Sequence, residues 1–114
     1  MKLLVIGSRS ITDFDLSPYI EASVDLIISG GADGIDTLAE VLADKHQISK
    51  LIMYPQYQVY GKGAPIRRNH QMVDIADSVL AVWDGASRGT ADTIRYARKQ
   101  HKDITVLQIK KDEA

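Results

Sequence analysis

Five short apolar runs punctuate the chain: Leu3-Leu4-Val5-Ile6, Leu26-Ile27-Ile28, Leu51-Ile52-Met53-Tyr54, Val79-Leu80-Ala81-Val82-Trp83 and Ile104-Thr105-Val106-Leu107. Their starts are 23, 25, 28 and 25 residues apart. Apolarity that continues without alternation predicts strands buried on both faces, and a step of about 25 residues holds one helix with its turns. This is the rhythm of successive βαβ units, whose crossovers are right-handed when the strands are parallel. The pattern predicts an α/β fold, a three-layer sandwich around a mainly parallel five-stranded sheet.

The segments between the runs support helices. Ile35, Leu38, Ala39, Leu42 and Ala43 recur at helical spacing, with Asp36, Glu40 and Asp44 on other faces. Pro65 suits a first helical turn, and Ile66, Met72, Val73 and Ala76 form the expected buried face behind it. Ala91, Ile94 and Ala97 line a helix ending near Lys99 to His101, where cations suit its negative end. In the first connection, Ser17 as cap and Pro18 at the first turn predict a short helix through Ala22 over the thin stripe Leu16, Ile20 and Val24. These elements make a single domain over residues 1–110, followed by a solvated charged tail at 111–114.

A chain of 114 residues falls short of the roughly 150 per domain used as a prior, in keeping with one core. Apolar residues at 45% exclude a disordered chain, and no apolar run is long enough to span a membrane. Fourteen basic residues against fifteen acidic ones give a net charge of -1, so bulk charge does not draw nucleic acid and any basic site is local. The absence of cysteine removes disulfides, zinc-thiolate sites and thiol nucleophiles together. No pair of histidines has metal-ligand spacing with a carboxylate, so neither a metal nor another cofactor is expected. The start of the chain lacks the features of a signal peptide, which predicts a cytoplasmic protein.

In an open parallel sheet ligands bind beyond the carboxyl ends of the strands, and three of those ends carry unusual loops. The first run leads into Gly7-Ser8-Arg9-Ser10, which offers close backbone approach, hydroxyls and a forked cation. A tight turn with an exposed arginine explains the same residues equally well. The second run leads into Ser29-Gly30-Gly31-Ala32-Asp33-Gly34-Ile35-Asp36, three glycines before a helix start, which is how a phosphate is held by backbone N–H groups. The plainer alternative is a turn in which Asp33 or Asp36 caps the helix. The fourth run ends in Trp83-Asp84-Gly85-Ala86-Ser87-Arg88-Gly89-Thr90, where Ser87, Thr90 and the Gly89 amide converge on one helix start and Arg88 adds charge. The loop from Pro55 to Ala64, with Tyr54, Tyr57 and Tyr60 around it, is long enough to suggest function and leads into Arg67-Arg68-Asn69-His70. Arg9, Lys62, Arg67, Arg68 and Arg88 all lie in or beside these loops, so a near-neutral chain gathers a positive cleft.

Taken in order, Gly7-Ser8-Arg9, then Ser29-Gly30-Gly31-Ala32-x-Gly34-x-Asp36, then Arg68-Asn69-x-x-Met72-Val73-x-x-Ala76-Asp77, then Trp83-Asp84-Gly85-x-Ser87-Arg88-Gly89-Thr90-x-Asp92-Thr93 resembles the YspA/YpsA-related branch of the SLOG superfamily. That superfamily takes its name from the Smf/DprA DNA-processing proteins and the LOG phosphoribohydrolases. The resemblance implies a Rossmann-like fold, a nucleotide-derived ligand such as a nucleoside monophosphate or an ADP-ribose-like molecule, and a homodimer. It implies ligand-binding roles for Gly7, Ser8, Arg9, Gly30, Gly31, Asp33, Asp36, Arg68, Asn69, Gly85, Ser87, Arg88, Gly89 and Thr90. In LOG enzymes an Arg-Lys pair precedes a Pro-Gly-Gly-x-Gly-Thr-x-x-Glu signature that serves N-glycosidic cleavage. Here Arg68 and Gly89-Thr90 match, Asn69 replaces the lysine, and Thr93 stands where the glutamate belongs. Asp92, about 100° around the helix, is the nearest acid, so Arg68 and Asp92 are the implied catalytic pair and Asp33 or Asp36 the alternative carboxylates.

The leading expectation is a protein that binds a nucleotide-derived ligand as a sensor or processing protein. The alternative is a phosphoribohydrolase releasing free base from nucleoside monophosphates. A third reading, single-stranded DNA binding as in DprA relatives, is opposed by the even charge balance.

Overall fold

A computed structural model describes residues 1–109. The apolar runs form β1 (Lys2–Gly7), β2 (Leu26–Ser29), β3 (Ser49–Ile52), β4 (Ser78–Trp83) and β5 (Asp103–Gln108), joined by helices α1 (Ile35–Lys45), α2 (Tyr57–Tyr60), α3 (Ala64–Ile75) and α4 (Arg88–Lys99). Every strand pairing is parallel, in the order β3-β2-β1-β4-β5. This is the three-layer, Rossmann-like α/β arrangement that the spacing predicts. The expected charged tail lies outside the described residues.

Successive strand residues point to opposite faces, and both faces here are covered, so both sets are apolar. Leu3, Val5, Ile27, Leu80 and Val82 pack with Ile35, Ala39 and Ala43 of α1. Leu4, Ile6, Ile28, Val79 and Ala81 pack with Met72 and Val73 of α3 and Ile94 and Ala97 of α4. Full burial of each Leu, Ile or Val contributes about 1.5–3 kcal/mol, and the central strands supply most of these side chains.

The order of strands also explains where the apolar pattern misleads. β3 and β5 are edges, so neither is buried on both faces: every position of β5 is exposed or half-buried, and Leu51 of β3 is 38% exposed. The third run extends past its strand, because the ladder ends with Ile52 opposite Ser29. The Met53 N–H makes one last bond to the Ser29 carbonyl at 2.8 Å, and Tyr54, restricted by the following proline, leaves the sheet.

Three further expectations need correction. The helix through Ala22 is only a 3-10 turn over Ser17–Tyr19, because Asp15 Oδ1 captures both the Ser17 N–H at 3.0 Å and its hydroxyl at 2.6 Å, and Ile20 is already extended. The hydroxyl that was to cap a helix is thus spent on a turn, while Ile11, Leu16 and Val24 cover the α1 face of the sheet from irregular backbone. The segment from Pro55 to Ala64 is not a long loop, since it holds α2 and a second 3-10 turn, Gly61–Gly63. Ile66 is not in the core: it is 38% exposed on the first turn of α3.

The chain steps outward from β1 through β2 to β3 and then crosses over to β4 and β5. The β1/β4 boundary is therefore the topological switch point, beyond whose carboxyl ends such sheets bind ligands. At that end α1 presses directly on β1: a Cβ added to Gly7 would lie 2.6 Å from Ile35 Cβ and would also strike the Val82 carbonyl. Replacing Gly7 with alanine should cost about 1–3 kcal/mol as an overpacked core. Thermal denaturation checks this, and an unchanged midpoint would mean that α1 does not seat on β1 at this distance.

Candidate functional site

Beyond β2 the backbone of Gly30 and Gly31 forms a floor on which two buried charges meet. Arg68, on the second turn of α3, is 7% exposed, and Asp36, in the first turn of α1, is 6% exposed. Arg68 donates through Nη1 to the Gly30 carbonyl and, at 3.1 Å, to the Met53 carbonyl, and through Nε to Asn69 Oδ1 at 2.8 Å. Its Nη2 has no hydrogen-bond partner among the described residues. Asp36 Oδ2 accepts the Ala32 N–H at 3.2 Å. A Cβ on Gly30 would lie 2.9 Å from both Arg68 Nη1 and Asp36 Oδ2, so only glycine lets the two side chains close over this backbone. Gly31 has φ +71, and a Cβ there would strike the Tyr54 ring.

The facing wall is the start of α4, and Asp84 sets its position. Asp84 Oδ1 accepts the N–H groups of Ala86 and Ser87, both at 2.8 Å, and Oδ2 accepts the Ser10 hydroxyl at 2.9 Å. The Asp84 N–H donates to Ser8 Oγ at 3.0 Å, so one residue ties the loop after β4 to the loop after β1. These donors hold the Asp84 carboxyl down to about 2, led by the Ala86 and Ser87 amides. Trp83 Nε1 donates to the Ser87 carbonyl at 3.0 Å, and Ser87 caps α4 without a side-chain hydrogen bond to it. The first-turn amides of α4 have no acceptor within the helix, and they carry the positive end of its dipole. A Cβ on Gly89 would meet nothing within 4 Å, so no protein contact requires glycine there.

Between floor and wall lies a cleft of about 120 Å³, lined by Ile6, Arg9, Ala32, Asp36, Pro65, Ile66, Arg68, Asn69, Ser87, Gly89, Thr90 and Thr93. The structure thus brings Arg9, Asp36, Arg68, Asn69, Ser87, Gly89 and Thr90 together, from four separate stretches of sequence. It does not bring in all the expected residues. Ser8 is buried, with its N–H on the Val82 carbonyl and its hydroxyl on Asp84. Gly7, Gly30 and Gly31 lie under protein atoms, and Gly85 lies against Gln108. Asp33 and Arg88 are exposed outside the lining, and Gly34, not an aspartate, is the N-cap of α1. Arg67 stacks over the Tyr60 ring at 4.6 Å, and Lys62 lies in the Gly61–Gly63 turn. Of the five clustered cations, Arg9 and Arg68 line the cleft.

Asp92 faces another partner. Its Oδ2 is 2.8 Å from His70 Nε2, and the His70 ring stacks on Tyr96 at 3.9 Å. Together with the Tyr96 hydroxyl on Asp74 Oδ1 at 2.8 Å, these contacts clamp α3 to α4 outside the cleft lining. Thr93, at the position of the LOG glutamate, does line the cleft, and its hydroxyl donates to the Gly89 carbonyl at 2.9 Å. The cleft's carboxylate is Asp36. Sequence reasoning did not place Pro65, Ile66 or Thr93 in the lining, nor see Asp84 as the organiser. Pro65 and Ile66 read as helix start and core, and the only signal for Asp84 was its position just before a glycine turn.

No family model, curated protein or solved structure matches the chain.

The two buried charges differ in their electrostatics. Burial pushes the Asp36 carboxyl from its ordinary 3.8 up to about 6, with the Ala32 amide and the Arg68 charge pulling the other way. Burial lowers the Arg68 pKa, and Asp36 partly offsets this. An acid whose folded value is raised binds a proton that the unfolded chain has released, so its contribution to stability is present at low pH and lost as pH rises through about 6. At about 1.4 kcal/mol per unit the full loss is roughly 3 kcal/mol. Asp36→Asn should therefore be more stable than the parent at pH 7, with the difference shrinking to near zero by pH 4. Denaturant titrations of both proteins across this range measure it, and a pH-independent difference would show that Asp36 is not desolvated.

Proposed function

We propose that the protein binds a nucleotide-derived ligand in this cleft, with the ligand's phosphate on the α4 start. The observation that carries the reading is the free Nη2 of the nine-tenths-buried Arg68, lining the same cleft as the open Gly89 turn. Nη2 is the one nitrogen of this guanidinium that reaches open space rather than a protein acceptor, and a phosphate oxygen is the acceptor it fits best. Helix-start amides supply further donors, and the Ser87 and Thr90 hydroxyls, hydrogen-bonded to each other at 3.2 Å, supply one more. The cleft's position at the carboxyl ends of the strands and the resemblance of the motif order to the SLOG superfamily support the same reading. A homodimer is part of this proposal, on the resemblance.

Gly89→Ala provides the cleanest test, because the added methyl meets no protein atom and alanine is the better helix former by about 1 kcal/mol. The variant should melt at or above the parent temperature yet bind nucleoside monophosphates at least 10-fold more weakly by calorimetry. Arg68→Lys, which keeps the charge but loses the fork, should weaken binding by a similar factor. Parent-like affinity in both variants would remove the phosphate site.

A second reading is favoured by one observation, the buried Asp36 carboxyl with its raised pKa inside the cleft. Such a group suits proton transfer near neutral pH, as N-glycosidic cleavage requires, whereas Asp92 is engaged with His70. This makes Asp36 the acid for a phosphoribohydrolase. Incubation with a panel of nucleoside monophosphates should then release free base with the parent and not with Asp36→Asn, and no release from any of them would end this reading.

A further inference from the structure

We infer that Asp36 is the specificity residue of the cleft, accepting a hydrogen bond from a hydroxyl of the ligand's sugar. The inference rests on the phosphate site proposed above and concerns what else the ligand must carry.

It follows from an inventory of donors and acceptors. Arg68 Nη2, the α4 first-turn amides and Arg9 offer donors and no acceptor, and the hydroxyls of Ser87, Thr90 and Thr93 are neutral acceptors, the first two bonded to each other and the third donating to the Gly89 carbonyl. Asn69 joins the donors: its Oδ1 is occupied by Arg68 Nε, which leaves the amide NH₂ for the cleft. Asp36 is the sole carboxylate of the lining. It takes one full hydrogen bond, from Ala32, and a weaker one from the Gly30 amide, although a carboxylate has room for roughly four. It is not spent on Arg68 either, since among the described residues no ion pair joins the two.

A carboxylate is out of place in a cleft of about 120 Å³ that only collects phosphate, because two anions there repel in a poorly screened space. It belongs if the ligand brings a donor to it. A ribose phosphate has both parts within one small fragment: non-bridging phosphate oxygens for Arg68 and the α4 amides, and hydroxyls for Asp36.

The experiment compares adenosine 5′-monophosphate with its 2′-deoxy and 3′-deoxy analogues and with inorganic phosphate, by calorimetry on the parent protein and on Asp36→Asn. Loss of a hydrogen bond to a buried charge is worth roughly 10- to 100-fold in affinity, so the parent should bind at least one deoxy analogue that much more weakly. In Asp36→Asn the ribo-to-deoxy ratio should collapse to about threefold or less, while inorganic phosphate binds no more weakly, a negative charge having left the cleft. Equal affinity of the parent for all three nucleotides overturns the inference and leaves the phosphate site standing. Undiminished discrimination in Asp36→Asn overturns the role of Asp36. Failure of every phosphorylated compound to bind overturns the phosphate site and this inference with it. The parent comparison needs no variant, so it decides the matter even where Asp36→Asn is poorly behaved.

Discussion

One guanidinium withdrawn from water organises the carboxyl edge of the sheet. A buried cation must be met by acceptors, and Arg68 finds them in the Gly30 carbonyl beyond β2, the Met53 carbonyl beyond β3 and the Asn69 amide on its own helix. These bonds fix α3 against the ends of two strands, one of them an edge strand with little buried surface of its own. They also dictate local sequence: Gly30 must lack a side chain, and α3 must start early enough to deliver its second turn there. What is left after these demands is Nη2, so the same residue that closes the structure leaves one donor open.

The glycines divide along this line. Gly7, Gly30 and Gly31 are under contact pressure from Ile35, from Arg68 and Asp36, and from Tyr54, which makes them requirements of packing. Gly89 is under none, although glycine is a poorer helix former than alanine. In sequence all four belong to glycine-rich turns beyond strands and read alike. Only the position of neighbouring side chains separates a glycine that accommodates the protein from one that leaves space beside the cleft.

The same limit marks what was legible in the chain. Continuous apolar runs specify β1, β2 and β4 because those strands are covered on both faces, and their spacing specifies the crossovers. The run at Leu51 misleads because hydrophobicity reports burial only for a strand with neighbours on both sides, and strand order is not a local property. Ser17 and Asp92 fail for another reason: each carries a polar group whose use is settled by a competing partner, Asp15 two residues away for the first and His70 on another helix for the second. Arg9, Ser87, Gly89 and Thr90 come together in one cleft because they follow strand ends or open a helix, where topology gathers residues that are distant in sequence, and Arg68 reaches them from the second turn of α3.

Asp36 shows how stability and binding oppose one another at this edge. It adjoins Arg68 across Gly30, each within 2.9 Å of the same point, yet the two charges do not neutralise one another by direct pairing. A core selected only for stability would pair them or replace Asp36 with a neutral side chain that keeps the Ala32 bond. Holding both charges largely withdrawn from water without pairing them destabilises the fold, and such groups cluster at binding sites. Under the proposed function a sugar phosphate supplies an acceptor to Arg68 and a donor to Asp36 in one step. The atoms of the floor that face open space in the free protein then face the ligand, which acts as a polar layer between α1, α3 and α4.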